Sequence, residues 1–182
     1  MRIAIRKFYR LFHAGGVPVD FHWSAIVMFG LFLAGVPIFG IPLLFIALGL
    51  FAILLVHELG HAFLAKRLGY HVVRIQIFPI HGFCLYEEPY SAYEESIIAW
   101  GGVLAQFVLF VPSALVLAYF GNSSVGSVNV LLVMFSYINA SIMVMNLTPA
   151  APLDGKKAWR LPLILVRAKW TMYQLNRKKI LK

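Results

Sequence analysis

IPLLFIALGLFAILLVHELGHAFLA, residues 41–65, is apolar for long enough to cross a bilayer, yet it carries His57, Glu58 and His61 towards its end. Ionisable groups inside a membrane are costly and by default mark a functional site. On a helix His57 and His61 lie one turn apart on one face, with Glu58 beside them. This His-Glu-x-x-His spacing offers two imidazoles to one zinc ion and a carboxylate that can take a proton from water there. The plainer reading of the same residues is a pair of buried histidines bonded to nearby carbonyls.

Composition extends the membrane reading to the whole chain. Of 182 residues, 61% are apolar and 13% charged, against about 45–50% and 25% in soluble domains. An α-helical integral membrane protein follows, with room for a single domain. No signal peptide is expected, because residues 2–21 mix basic and apolar positions without a continuous hydrophobic region. The lone cysteine, Cys84, excludes an internal disulfide and a thiolate metal cluster. The net charge of +9 is read through membrane topology rather than nucleic-acid binding.

The pattern predicts about four spans, near residues 24–39, 43–66, 96–120 and 128–147. Residues 2–13 read as an amphipathic interfacial helix that Gly15, Gly16 and Pro18 break, with Trp23 as an interfacial anchor. His13 and His22 read as headgroup-level histidines. Between the second and third spans, Val72, Val73, Ile75, Ile77 and Phe78 favour strands, giving a small hairpin or sheet with one open edge over about 70–88. The alternative there is a re-entrant or interfacial loop. His81 reads as a surface histidine or an extra polar group near the site, and Glu87, Glu88, Glu94 and Glu95 as a solvated acidic face. Gly101 and Gly102 allow close helix approach, and Gln106 is expected to bond across to a neighbouring helix. The apolar core after Asp154 is too short to cross, so residues 156–182 read as a basic surface tail.

Charge gives the orientation. The turns near 40–42 and 121–127 hold no Lys or Arg. All sixteen lie on the other side: four before the first span, three from Lys66 to Arg74 and nine after Asp154. The positive-inside rule then puts both termini and the 66–95 segment in the cytoplasm. His57 precedes Lys66 by nine residues, about 13 Å, so the motif lies in the membrane but nearer the cytoplasmic face.

A catalytic zinc usually takes three protein ligands and leaves one position open. Among the other acids, Asp154 directly follows a span end and is held by Pro149 and Pro152, which suits a preorganised ligand. By itself it is equally an Asp-Gly turn residue. HELGH in one span, followed by NLTPAAPLDG (146–155) after another, resembles the site-2 protease family of intramembrane zinc metalloproteases. The resemblance runs from about Asp20 to Gly155. It implies that His57, His61 and Asp154 bind one Zn2+ per chain and that Glu58 is the general base. Asn146 matches the Asn of the family's N-x-x-P-x-x-P-L-D-G motif, which implies substrate positioning or oxyanion stabilisation. Residues 101–106, GGVLAQ, resemble the family's Gly-Pro-x-x-Asn element, with Val103 in place of Pro and Gln106 in place of Asn. His81-Gly82 stands where many members have Gly-Gly.

The family reading implies regulated intramembrane proteolysis in a prokaryotic cell (inner) membrane. Its substrate would be a single-pass transmembrane protein or peptide within the lipid bilayer, with a regulatory membrane partner as a further expected contact. Residues 1–182 then form one membrane-embedded metalloprotease domain: an N-terminal segment (1–20), a catalytic core (21–155) and a basic tail (156–182). Two other readings stay open: a zinc-binding pseudoprotease or chaperone-like protein, and a metal transporter. Glu58 argues against the former, since a pure ligand site has no use for a base. The apolar far ends of the spans argue against the latter.

Overall fold

The computed structural model describes residues 7–180. Strands β1 (Phe8–Ala14) and β2 (Val17–His22) form a hairpin across Gly15 and Gly16, whose φ angles are 55° and 74°. Two consecutive positive φ values make a type I′ turn, which glycine adopts at no steric cost. This corrects the expected interfacial helix over residues 2–13. From Phe8 onward the segment is strand, and residues 2–6 lie outside the described ones. The signal for it in the sequence is the Gly-Gly pair set between two apolar runs.

The helical hairpin α1 (Trp23–Phe39) and α2 (Pro42–Arg67) carries the chain to β3 (Val72–Ile77), which pairs parallel to β2 with Val19 opposite Ile75. Strand β4 (Gly82–Tyr86) returns antiparallel to β3. The hairpin expected over 70–88 is therefore half of a four-stranded sheet ordered β1-β2-β3-β4, with β4 on one edge. Asp20, buried in β2, ties three strands together: it accepts hydrogen bonds from Arg10 Nε (3.0 Å) on β1 and Arg74 Nη1 (3.3 Å) on β3. His22 has a local role, its Nδ1 accepting the Ser24 N–H at the start of α1 (3.4 Å).

Helix α3 (Ala92–Phe120) opens on Ser91, whose hydroxyl accepts the Glu94 N–H at 3.2 Å. After a short turn come α4 (Gly126–Val133), a π-helical turn (Met134–Ile138) and α5 (Asn139–Asn146), which run as one rod. A loop over 147–154 leads to α6 (Gly155–Ala158) and α7 (Arg160–Ile180). Among the described residues, α2, α3 and the rod Gly126–Asn146 are long and apolar enough to cross a membrane. Helix α1 is equally apolar but has 17 residues. At 1.5 Å each these reach about 26 Å, against a hydrocarbon core of about 30 Å. Three of the four expected spans thus meet the length for crossing, and the first is a shorter apolar helix.

The sheet is held where the site needs it. Val17, Val19 and Phe21 of β2 and Ile75 and Ile77 of β3 are buried in one cluster with Ala62 and Ala65 of α2 and Ile98 of α3. Each fully buried side chain of this size stabilises by about 1.5–3 kcal/mol. The packing fixes the sheet against the turn of α2 that follows His57 and His61. Helices α2 and α3 approach closely at Gly60 and Gly101, where a Cβ on either would collide with the other's backbone.

Candidate metal centre

His57 and His61, one turn apart on α2, are both buried and present Nε2 atoms 3.1 Å from each other. Asp154 comes from the loop after α5, and its Oδ2 lies 3.0 Å from His57 Nε2 and 3.2 Å from His61 Nε2. The other nitrogen of each ring is already engaged. His61 Nδ1 donates to the Ile98 carbonyl of α3 (2.8 Å), and His57 Nδ1 faces Gln106 Oε1 (3.0 Å). With hydrogen on Nδ1, each Nε2 turns a lone pair towards the same point as the carboxylate.

Three acceptors facing one another repel unless something positive lies between them. One proton can bridge one pair; a cation at the centre meets all three. Zinc bound at about 2.0–2.1 Å in a tetrahedron spaces its ligand atoms about 3.3 Å apart, and the observed separations are 3.0–3.2 Å. Two imidazoles, a carboxylate and an outer hydrogen bond behind each ring form a donor set that suits zinc. Among the described residues, His57, His61 and Asp154 are the His, Cys, Asp and Glu side chains whose ligand atoms converge in this way, all within 4.8 Å of one another.

Glycine creates the room for this convergence. A Cβ on Gly102 would lie 2.6 Å from His61 Nε2 and closer still to the His57 ring. One on Gly82 of β4 would lie 2.6 Å from Glu58 Oε1. The loop that delivers Asp154 is clamped by two tryptophans that sequence reasoning passed over. Trp159 Nε1 donates to the Leu147 carbonyl (2.6 Å), and Trp100 Nε1 of α3 donates to the Ala158 carbonyl (3.0 Å). Their rings meet edge to face with centroids 5.7 Å apart.

Glu58 is buried beside the histidines and lines a cleft of about 480 Å³ together with Gly82, Cys84 and Tyr86 of β4, Asn146 at the end of α5, and Asp154. His81 also lines it, with its ring stacked on Phe78 (centroids 4.7 Å apart), so it stands at the wall rather than among the ligand atoms. Burial pushes the Tyr86 phenol up to about 12, so it meets the cleft as a neutral hydroxyl. The acidic residues of the 87–95 stretch do not join the site. Glu87 accepts the His71 N–H, Glu94 accepts Tyr70 and Ser91 hydroxyls, and Glu95 pairs with Lys157 (3.1 Å) and Arg160 (2.9 Å). The expected cross-helix bond of Gln106 exists, but it reaches His57 as well as Asn139.

Comparison with known proteins gives the same direction. The family model of Peptidase family M50 matches residues 45–127. Zinc metalloprotease MJ0392 of Methanocaldococcus jannaschii is 32% identical over 156 residues, covering 83% of this chain and 44% of that protein. A putative zinc metalloprotease of Synechocystis, sll0528, is 31% identical over 115 residues, covering 60% of this chain and 28% of that protein. The chain thus spans less than half the length of these curated relatives. The solved structure of the Site-2 Protease from Methanocaldococcus jannaschii matches with a TM-score of 0.70 and 25% identity, over 86% of this chain and 71% of that one.

Proposed function

Because this chain belongs to the site-2 protease family, peptidase family M50, we propose that it is an intramembrane zinc metalloendopeptidase. Its substrate is a membrane protein, cut at a peptide bond within or near a transmembrane segment. The observation that carries this reading is the convergence of His57 Nε2, His61 Nε2 and Asp154 Oδ2 at 3.0–3.2 Å, with Glu58 on the same cleft.

His57, His61 and Asp154 hold the metal, which when bound supplies Lewis acidity towards the scissile carbonyl and towards water. Glu58 accepts the proton of the attacking water and returns it to the departing amine nitrogen. Asn146, on the cleft wall, offers its amide to the oxygen that gains negative charge. A transmembrane helix hides its peptide bonds, so the substrate unwinds before it is cut. The outer edge of β4, beside Glu58, takes the unwound segment as an added strand. Water reaches the site from the nearer face, which the charge distribution assigns to the cytoplasm together with both termini.

The deciding experiment measures zinc per mole of purified protein, and cleavage of a single-pass transmembrane fusion, for wild type, Glu58→Gln and Asp154→Ala. The expected result is one zinc in wild type and in Glu58→Gln, with cleavage in wild type only, and much less zinc in Asp154→Ala. Undiminished cleavage by Glu58→Gln, or full zinc retention in Asp154→Ala, would sink the proposal.

A further inference from the structure

We infer that Gln106 and Asn139 form a relay that fixes which nitrogen of His57 carries hydrogen, and so keeps Nε2 turned to the metal as a lone pair. Both are positioning residues, fully buried, on α3 and on the rod respectively. The inference rests on the zinc-site reading above and gives the Gln at 106 a role of its own.

The polarity of the relay is decided at its far end. Asn139 Nδ2 lies 3.0 Å from the Gln106 backbone carbonyl and 3.3 Å from that of Phe135. Carbonyl oxygens only accept, so the Asn139 amide cannot be turned the other way round. Its Oδ1 therefore faces Gln106 Nε2, at 2.8 Å, and must accept from it. That leaves Gln106 Oε1 for His57 Nδ1 at 3.0 Å, and an oxygen there requires the hydrogen on Nδ1. Two backbone carbonyls thus dictate the tautomer of a ring two side chains away.

The π turn supplies one of those carbonyls. In an α-helix the Asn139 N–H would bond to Phe135, four residues back. Here it bonds to the Met134 carbonyl, five back, and the Phe135 carbonyl accepts from the Asn139 side chain. His61 needs no such device, since its Nδ1 donates directly to the Ile98 backbone. The two ligand histidines are held by different means, and only the His57 arm runs through replaceable side chains.

The test is zinc affinity, read by competition with a chromophoric chelator, together with the visible absorption of the cobalt(II)-substituted protein, which reports ligand geometry. Gln106→Leu is expected to bind zinc about 10–100-fold more weakly, with a changed cobalt spectrum. Gln106→Glu keeps an acceptor opposite His57 Nδ1 but turns an oxygen to Asn139 Oδ1, which can only accept, so it should bind more weakly than wild type and more tightly than Gln106→Leu. Asn139→Ala frees the Gln106 amide to turn and should give an intermediate loss. The double variant Gln106→Leu/Asn139→Ala should be no weaker than Gln106→Leu alone, because both changes break one chain. Wild-type affinity in Gln106→Leu or in Asn139→Ala, a Gln106→Glu as weak as Gln106→Leu, or losses that multiply in the double variant would each overturn the relay. If Gln106→Leu does not fold, Gln106→Glu and Asn139→Ala decide by themselves. A wild type that binds no zinc would overturn the zinc-site reading, and the relay with it; the other failures leave that reading standing.

Discussion

Gly102 is where the two histidines have least room. A methyl group there would press on both rings, and His61 Nε2, at 2.6 Å from the added carbon, has no slack because Ile98 holds its other nitrogen. Gly102→Ala should therefore weaken zinc binding by roughly tenfold or more while the helices still form, which chelator competition beside circular dichroism would check. Cys84 makes a second prediction at this scale. Burial first, and then the Glu58 carboxylate, push its thiol up to about 12, well above the usual range near 8.5. The reactive thiolate is then scarce at pH 8, and maleimide should label the chelated, folded protein at least about a hundredfold more slowly than the unfolded one. Equal rates would show that the thiol is not shielded. Such properties are invisible in sequence, where Cys84 is only a lone cysteine in a strand.

The edge strand carries the prediction that belongs to elements. The Phe78 N–H bonds to the His81 carbonyl and the Glu87 N–H to the His71 carbonyl, so odd-numbered β4 residues turn their backbone groups to β3. Gly82, Cys84 and Tyr86 then offer theirs to the open side. Tyr86→Pro removes an outward N–H and leaves the β3 pairing intact, so it should impair cleavage by tenfold or more with zinc content normal. Leu85→Pro breaks the inner ladder and should instead lower thermal stability. Zinc loss in Tyr86→Pro would refute this separation of binding from holding. The elements also show what sequence could and could not give. His57, Glu58 and His61 were legible because helical spacing alone puts them together. Asp154 was legible only in company with that motif, since it reaches the site through a loop 93 residues from His61. The β1 segment reads as a helix although the Gly-Gly turn after it is in view, because β3, which anchors the hairpin through β2, lies more than 50 residues further on. Gln106 showed as polar, but its bond to His57 depends on how two helices face each other, which no local pattern encodes.

For the whole molecule, the arrangement of charge makes a prediction about sidedness. The helix-to-helix turns at Gly40 and at 121–125 hold no Lys or Arg, while the sheet, the Asp154 loop and α7 all attach to the opposite ends of the helices. In a Cys84→Ser background, Ser124→Cys should react with a membrane-impermeant maleimide in intact cells, and Thr171→Cys only after permeabilisation. The reverse pattern would invert the proposed topology and move water access to the other face. The π turn in the rod carries one last consequence. A π turn closes one helical turn with five residues where an α turn uses four, so it takes up a spare residue without turning the parts before Met134 and after Ile138 out of phase. Deleting a single residue within it should therefore restore the α-helical bond pattern and shorten the rod by only about 1.5 Å, with both parts keeping their bearing. Length and apolar character would survive such a change, but the carbonyl that now accepts from the Asn139 side chain would be taken by a backbone N–H. The spare residue is thus what frees a backbone acceptor for the far end of the His57 arm.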